Sequence, residues 1–295
     1  MRLSLLFRLK RRIIGLLLVA PLLLLGGCSS IYLAYNNGAL LAWWWIDGYA
    51  DFNREQTPLV KQNIDKLLDW HRATQLPLYL PLLGVAQAQV AEPTTPALAC
   101  RWQDQARALL EPTLERSLEL AAEVVPTMGE AQFKHMEGRY AKVIAEMREE
   151  FLQPDPAERL AESQKRAVKR GEMLYGRLDA AQRAVILAGV KASPFNPELW
   201  LAERQRRQRD TVQTLRRLVT EKADREQRIA ALRTLAARVE RSPDPEYRAY
   251  QIKLNEYNCG IAAQWHNATT PAQRKVARDK LKTWENDLRA LVARE

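Results

Sequence analysis

Residues 197–241 read PELWLAERQRRQRDTVQTLRRLVTEKADREQRIAALRTLAARVER and carry the clearest fold signal in the chain. Strong helix formers fill this stretch, and apolar residues recur at three- and four-residue steps. That spacing places one set of side chains on a single side of a helix: Val212, Leu215, Val219, Ile229, Leu232 and Ala236. The pattern predicts one very long helix over about 197–241, which would span roughly 67 Å at 1.5 Å per residue.

The rest of the chain after residue 36 has a similar composition, with few Val and Ile and no sustained alternation of apolar and polar residues. Prolines fall between the periodic segments, where they start or stop helices. Pro112 is the exception, because it lies inside a helical stretch and predicts a kink or a break there. Two helices follow the long one, at about 246–266 and 271–294. The predicted fold is all-α, a multi-helix, elongated bundle whose last three helices are antiparallel.

Helix starts are visible as capping boxes, in which an N-cap side chain and a residue three positions later satisfy each other's backbone N–H. Residues 179–182 (DAAQ) and 270–273 (TPAQ) have this form, and residues 127–130 (TMGE) offer a third example. Asn196 before Pro197 indicates another helix start.

The first 28 residues combine basic residues, the apolar run 13–25 and the sequence Leu25-Gly26-Gly27-Cys28. As a helix the apolar run rises about 20 Å, which is short of the roughly 30 Å hydrocarbon core and suits an export signal. The last four residues resemble the lipobox of bacterial lipoproteins, with Gly at its second position as a departure. The resemblance implies a signal peptide at 1–27 and a lipidated Cys28; an uncleaved N-terminal anchor is the alternative.

With residues 1–27 assigned to a signal peptide, we expect a lipidated N-terminus and an aromatic membrane-proximal segment at 28–46. A single all-helical domain follows at 47–295. The chain has 45 Lys and Arg against 35 Asp and Glu, a formal charge of +10. Five basic residues precede Cys28, so the mature balance is 40 against 35. Such a mild excess is weak evidence for nucleic acid, which we do not expect as a partner.

Cys100 and Cys259 remain as an even pair once Cys28 is assigned to lipid. A disulfide between them suits an oxidising compartment. Two separate buried thiols are the equal alternative, because the sequence does not supply the distance between the two Cβ atoms.

The segment after the lipidated cysteine contains Trp43-Trp44-Trp45, and Tyr and Trp favour a membrane interface. The alternative is a first core helix with its tryptophans packed inside. Three adjacent tryptophans span about 200° of a helix, so they cannot all face one core. We expect mixed use, with one or two rings buried and one facing lipid or a partner.

Arg206, Arg209, Arg216 and Arg217 fall within an arc of about 100° on the predicted long helix. Such a stripe could bind phospholipid headgroups, the phosphates of a glycolipid or an acidic protein. The simpler alternative is a solvated face that nearby carboxylates such as Glu203 and Asp210 partly neutralise.

No motif of a known catalytic centre is present, and the sequence contains no Cys-x-x-Cys. The three histidines, His71, His135 and His266, lie far apart in the sequence. They could meet around a metal, but isolated histidines between helices are much commoner, so we expect no metal and no cofactor.

Residues 47–56 (DGYADFNREQ), 69–72 (DWHR) with Leu76-Pro77, and 192–200 (ASPFNPELW) form a recognisable set. With the lipobox they resemble a family of proteobacterial lipoproteins that is known only as a domain of unknown function. This resemblance covers nearly the whole mature chain and implies no activity. Residues 178–182 (LDAAQ) and 269–273 (TTPAQ) are similar to the Leu-Thr-x-x-Gln motif of Spy- and CpxP-type periplasmic chaperones, although each departs at one position.

The functional prediction is a lipid-anchored cell-envelope protein that binds or scaffolds without catalysis. Membrane lipid would be bound through acylated Cys28, and an envelope protein or an anionic glycolipid would be the further partner. Ser29 is not Asp, which by resemblance to sorted Gram-negative lipoproteins favours the periplasmic face of the outer membrane. The alternatives are chaperone-like client binding and an enzyme with an unrecognised site, the latter only if the three histidines converge.

Overall fold

The structure is a computed structural model that describes residues 30–293, and all its regular elements are helical, as predicted. In chain order the α-helices are α1 (Ser30–Asn36), α2 (Gly38–Ala50), α3 (Gln56–Trp70), α4 (Leu76–Gln89), α5 (Pro96–Val124), α6 (Glu130–Phe151), α7 (Pro156–Tyr175), α8 (Ala180–Ala192), α9 (Pro197–Thr220), α10 (Arg225–Glu240), α11 (Pro245–Asn267) and α12 (Pro271–Val292). A π-helix at His71–Gln75 joins α3 to α4, and a 3-10 turn at Val125–Thr127 follows α5. Within residues 30–293, no helix has both the length and the apolar character needed to cross a membrane.

The very long helix predicted over 197–241 is wrong, because this stretch forms two helices, α9 and α10. The chain turns between them with Lys222 at φ +50°. Asp224 then starts α10: its Oδ1 accepts from the Gln227 N–H at 2.8 Å, while Gln227 Oε1 accepts from the Asp224 N–H at 2.9 Å. Since α10 folds back along α9, the Arg238 guanidinium donates to Asp210 Oδ1 at 3.0 Å.

The antiparallel arrangement predicted for the last three helices is also not what the structure shows. Instead, α10 and α11 pack mainly on α5, and α12 packs mainly on α4. The physical reason is the turn at 221–224, which divides the expected long helix into two shorter ones. Each later helix can then pack on the apolar face of an earlier helix.

The predicted apolar stripe does form the core. Val212, Leu215, Ile229 and Leu232 are buried, and they pack with side chains from the end of α5 and from α6. Phe133 of α6 is among the most deeply buried side chains of this cluster. The α9–α10 hairpin therefore closes over α5 and α6 with the face that the periodicity identified.

Two local expectations need correction. First, a kink or a break was expected at Pro112, and the break is wrong because α5 runs through that residue. Second, the proposed box at 127–130 does not start α6, because Thr127 Oγ1 donates back to the Val124 carbonyl at 2.7 Å. Gly129 is the N-cap instead, and its N–H donates to Gln132 Oε1 at 3.1 Å.

Two glycines make room for side chains of α11 to pack against α7 and α8. A Cβ added at Gly171 would lie 1.8 Å from Cζ2 of Trp265, and one at Gly189 would lie 2.3 Å from Cδ1 of Ile261. Tyr257 of α11 also donates its hydroxyl to the Gly189 carbonyl at 2.5 Å. Only a residue without a side chain fits at these two positions as the helices now lie.

Candidate functional site

The most distinctive surface of the described chain is an uncharged apolar face on α1 and α2. Trp44 and Trp45 are 64% and 68% exposed, and three leucines are about half exposed, which is unusual for such large apolar side chains. We call this surface the α1–α2 face; its members are Leu33, Leu40, Leu41, Trp44 and Trp45. No Asp, Glu, Lys or Arg occurs between residues 30 and 46.

Helical geometry explains why these side chains share a face. Backbone bonds from the Asn37 N–H to the Leu33 carbonyl (3.2 Å) and from the Leu41 N–H to the Asn37 carbonyl (3.0 Å) continue the helical pattern across the α1–α2 junction. At 100° per residue, the four members on α2 fall within an arc of about 140°. The face is therefore a stripe along α2, with Leu33 added from α1 just before the junction.

Trp43 points to the other side of α2. Its ring stacks on Phe52 at a centroid distance of 6.0 Å, and the Lys61 ammonium lies 4.8 Å from the same ring. The structure thus places one of the three tryptophans against the body of the protein and leaves Trp44 and Trp45 exposed. The expectation was one or two buried rings and one exposed ring; the structure instead packs one ring and exposes two.

A tyrosine–histidine cluster holds α1 in place. The Tyr35 hydroxyl lies 3.0 Å from Nδ1 of His71 and donates to the Leu68 carbonyl at 3.3 Å. On the opposite side of the imidazole, Nε2 lies 3.0 Å from the Tyr79 hydroxyl. Burial lowers the pKa of His71, so the neutral ring is favoured at this junction. The cluster ties α1 to the π-helix and α4.

A pair of glutamine amides fixes the starts of α3 and α6 beneath α2. Gln56 and Gln132 donate to each other's side-chain oxygen at 3.0 Å in both directions. The second N–H of Gln56 reaches the Thr127 carbonyl at 2.5 Å, and that of Gln132 reaches the Ala50 carbonyl at 3.0 Å. All the hydrogen-bonding capacity of the two amide groups is used, since each oxygen also accepts from its own helix start.

The same arrangement recurs where α8 and α12 begin. Gln182 donates to Gln273 Oε1 at 2.6 Å, and Gln273 donates to Gln182 Oε1 at 2.9 Å. Their second N–H groups reach the carbonyls of Ala268 and Arg177 at 3.0 and 2.9 Å. Both glutamines belong to predicted capping boxes, but their pairing was not foreseen from the sequence. The two segments similar to the chaperone motif therefore meet in space.

The family of unknown function DUF6279 matches residues 48–248 of this chain. The chain belongs to this family. No curated protein and no solved structure matches it. The DUF6279 region starts at Gly48, inside α2, so it includes the Gln56–Gln132 pair but not Trp43 to Trp45.

The predicted arginine stripe lies inside the DUF6279 region, and carboxylates neutralise most of it. Arg206 binds Glu203 and Asp210 at 2.8 and 3.4 Å, and Arg216 binds Glu130 and Glu137 at 2.8 and 3.1 Å.

Arg217 lies 3.4 Å from Glu221. Burial opposes ionisation of Glu203, but hydrogen bonds from Arg206 and Arg207 outweigh it and lower the pKa of Glu203. Arg209 is exposed and has no ion pair among the described residues, so the stripe as a whole presents little free positive charge.

The structure does not bring the three histidines together. His71 contacts Tyr35 and Tyr79, whereas His135 of α6 lies 3.4 Å from the Gly48 carbonyl. His266 is buried between the Tyr175 hydroxyl and the Glu92 carbonyl, each at 2.7 Å. Burial lowers the pKa of His266. Among residues 30–293, no group of three or more His, Cys, Asp or Glu side chains has the geometry of a metal site.

Cys100 of α5 and Cys259 of α11 form a disulfide, with their Cα atoms 5.3 Å apart. The bond joins positions separated by 159 residues, and Cys259 is buried. The other predicted functional residue, Cys28, lies outside the described residues, as does the predicted signal peptide at 1–27.

Proposed function

We propose that this DUF6279 protein is a lipid-anchored component of the cell envelope, acylated at Cys28 and held at the periplasmic face of the outer membrane. The observation that carries the proposal is the α1–α2 face, an exposed and uncharged apolar stripe that begins directly after the lipobox. A large apolar surface on a protein of otherwise ordinary charge marks a site of contact with a membrane or a partner. The Cys100–Cys259 pair also suits a compartment that favours disulfides.

Its role is binding or scaffolding, and the partner beyond membrane lipid is an envelope protein or an anionic glycolipid. The anchored end brings the rest of the helices close to the membrane, and the core around α5, α6, α9 and α10 gives them a fixed shape. We propose neither catalysis nor nucleic-acid binding, because the sequence contains no catalytic motif and only a mild basic excess. Crosslinking in native envelopes followed by co-purification would identify the partner.

Replacing Cys28 by serine should abolish incorporation of fatty acid and leave a precursor that is longer by the signal peptide. The serine hydroxyl does not replace the thiol as the acceptor of the diacylglyceryl group, and cleavage at a lipobox follows lipidation. Metabolic labelling with a radioactive fatty acid, followed by mass determination, measures both effects. Ser29→Ala, one residue away, should retain label and cleavage. Undiminished labelling of Cys28→Ser would contradict the anchor.

Client holding is the second candidate, favoured by the meeting of residues 178–182 and 269–273 through the Gln182–Gln273 pair. These segments are the ones similar to the chaperone motif. An excess of the purified protein should then reduce the light scattering of an unfolded client protein, and Gln182→Ala with Gln273→Ala should weaken that effect. Scattering that is unchanged by an excess of the wild-type protein would remove this candidate.

A further inference from the structure

We propose that the α1–α2 face is a docking surface for a phospholipid bilayer, on which α1 and α2 lie along the membrane interface rather than pointing away from it. The inference rests on the proposed lipid anchor and adds the orientation of the protein on the membrane. Lipid attachment alone would leave the helical body free to rotate about its tether. A second contact next to the anchor removes that freedom.

The α1–α2 face lies close to the proposed anchor in the sequence. Cys28 lies two residues before Ser30, where α1 begins. Two residues of extended chain reach at most about 7 Å, so acyl chains on Cys28 hold the start of α1 at the headgroup level. Leu33 is then the first member of the face, and Trp44 and Trp45 are the last.

The composition of the α1–α2 face suits the membrane interface. It combines three leucines with two tryptophans, and tryptophan prefers the boundary between headgroups and acyl chains. A face of leucines and tryptophans that carries no charge can lie at this depth without burying an ionised group in the bilayer.

One basic side chain borders the face. The Tyr49 ring lies 5.2 Å from the ring of Trp45, and the guanidinium of Arg139 from α6 lies 5.4 Å from the same Tyr49 ring. Arg139 forms no ion pair with a carboxylate in the described part of the chain. A cation at the edge of an apolar stripe is complementary to lipid phosphates.

The test uses the full acylated chain in vesicles of phosphatidylethanolamine and phosphatidylglycerol whose acyl chains carry bromine near the glycerol. Bromine quenches tryptophan fluorescence at short range. The wild-type protein should be quenched, and Trp44→Phe with Trp45→Phe should lose most of that quenching, although six of the eight tryptophans remain. Trp200→Phe is the matched control, because Trp200 packs on Phe151 at 5.1 Å and not on the α1–α2 face. Equal quenching of the wild-type and double-variant proteins would overturn the proposal.

A charge substitution provides an independent readout. Leu41→Glu should reduce the quenching of Trp44 and Trp45, because a carboxylate is costly at the depth that we propose. Leu110→Glu changes a leucine that is also exposed, but lies on α5, and should leave quenching unchanged. The same loss in both variants would contradict docking through α1 and α2. A wild-type dimer that Leu41→Glu converts to monomers, without bromolipid quenching, would assign the face to a second copy and overturn the proposal.

Failure of the anchor and failure of the docking surface give different results. The mass of the N-terminal peptide from the same preparation reports whether Cys28 is acylated. Acylation without face-specific quenching overturns the docking surface and leaves the anchor in place. Face-specific quenching without acylation supports the docking surface and overturns the anchor.

Discussion

Replacing both Cys100 and Cys259 by alanine should lower the free energy of unfolding by between about 2 and about 5 kcal/mol, the upper value following from loop-closure entropy for a bond across 159 residues. The bond ties α5 to α11, and its loss lets the unfolded chain explore many more conformations. Urea unfolding followed by circular dichroism measures the change, and it should appear as a lower midpoint. A loss of this size is a large part of the stability of an ordinary domain.

Reductant provides the control for this prediction. It should shift the wild-type midpoint to that of the double variant and leave the variant itself unchanged. Alkylation of the denatured, unreduced protein should find no free thiol at Cys100 or Cys259. Two reactive thiols together with a midpoint that does not respond to reductant would show that the bond is absent.

Gly171→Ala should destabilise the protein by about 1–3 kcal/mol, the usual cost of overfilling a packed interior. The added methyl group would lie 1.8 Å from Cζ2 of Trp265, so α7 and α11 would have to separate or the indole would have to move. Alanine is otherwise favoured over glycine inside a helix by roughly 1 kcal/mol, so the expected sign comes from the contact alone. Urea unfolding measures the effect.

Gly138→Ala is the matched control for Gly171→Ala. Gly138 also lies inside a helix, α6, but a Cβ there would meet nothing within 4 Å. The control substitution should therefore stabilise the protein by about 0.5–1 kcal/mol. If both substitutions stabilise the protein, the close approach of Trp265 to Gly171 is wrong.

Much of the fold follows from local patterns, and the exceptions have a common physical origin. The apolar positions from Val212 to Leu232 identified the buried face correctly because burial depends on helical periodicity. The break after Thr220 was missed because residues 221–227 contain neither Pro nor Gly. The only local signal of the break was the pair Asp224 and Gln227, which form a capping box. In the sequence alone, Asp and Gln at this spacing are equally compatible with the middle of a polar helix.

Less of the candidate site could be predicted. The helical angle between neighbours showed that Trp43, Trp44 and Trp45 could not all be buried, but the choice of Trp43 depends on Phe52 and Lys61 of the following segment. The arginine stripe was correctly placed on a helix, yet Glu130 and Glu137, which pair with Arg216, come from a helix distant in sequence. Partners across tertiary contacts leave no local pattern.

The glutamine pairs are a contact between helix starts for which the sequence does contain a signal. A glutamine at the third position of a helix spends its side-chain oxygen on the helix start and keeps two N–H donors. If that side chain is buried, as Gln182 is, both donors need acceptors from another element. Buried glutamines in capping boxes are therefore candidates for contacts between two helix starts.

If the chain is exported from its N-terminus as we propose, the two glutamine pairs and the disulfide can form only in the order in which their residues emerge. The Gln56–Gln132 pair can close once residue 132 has emerged, which completes a loop containing Cys100. Cys100 then remains a thiol until Cys259 has emerged, and the Gln182–Gln273 pair cannot close until residue 273 has emerged. The first glutamine pair can therefore close before its loop is covalently linked to α11, and the second pair closes a loop that contains Cys259.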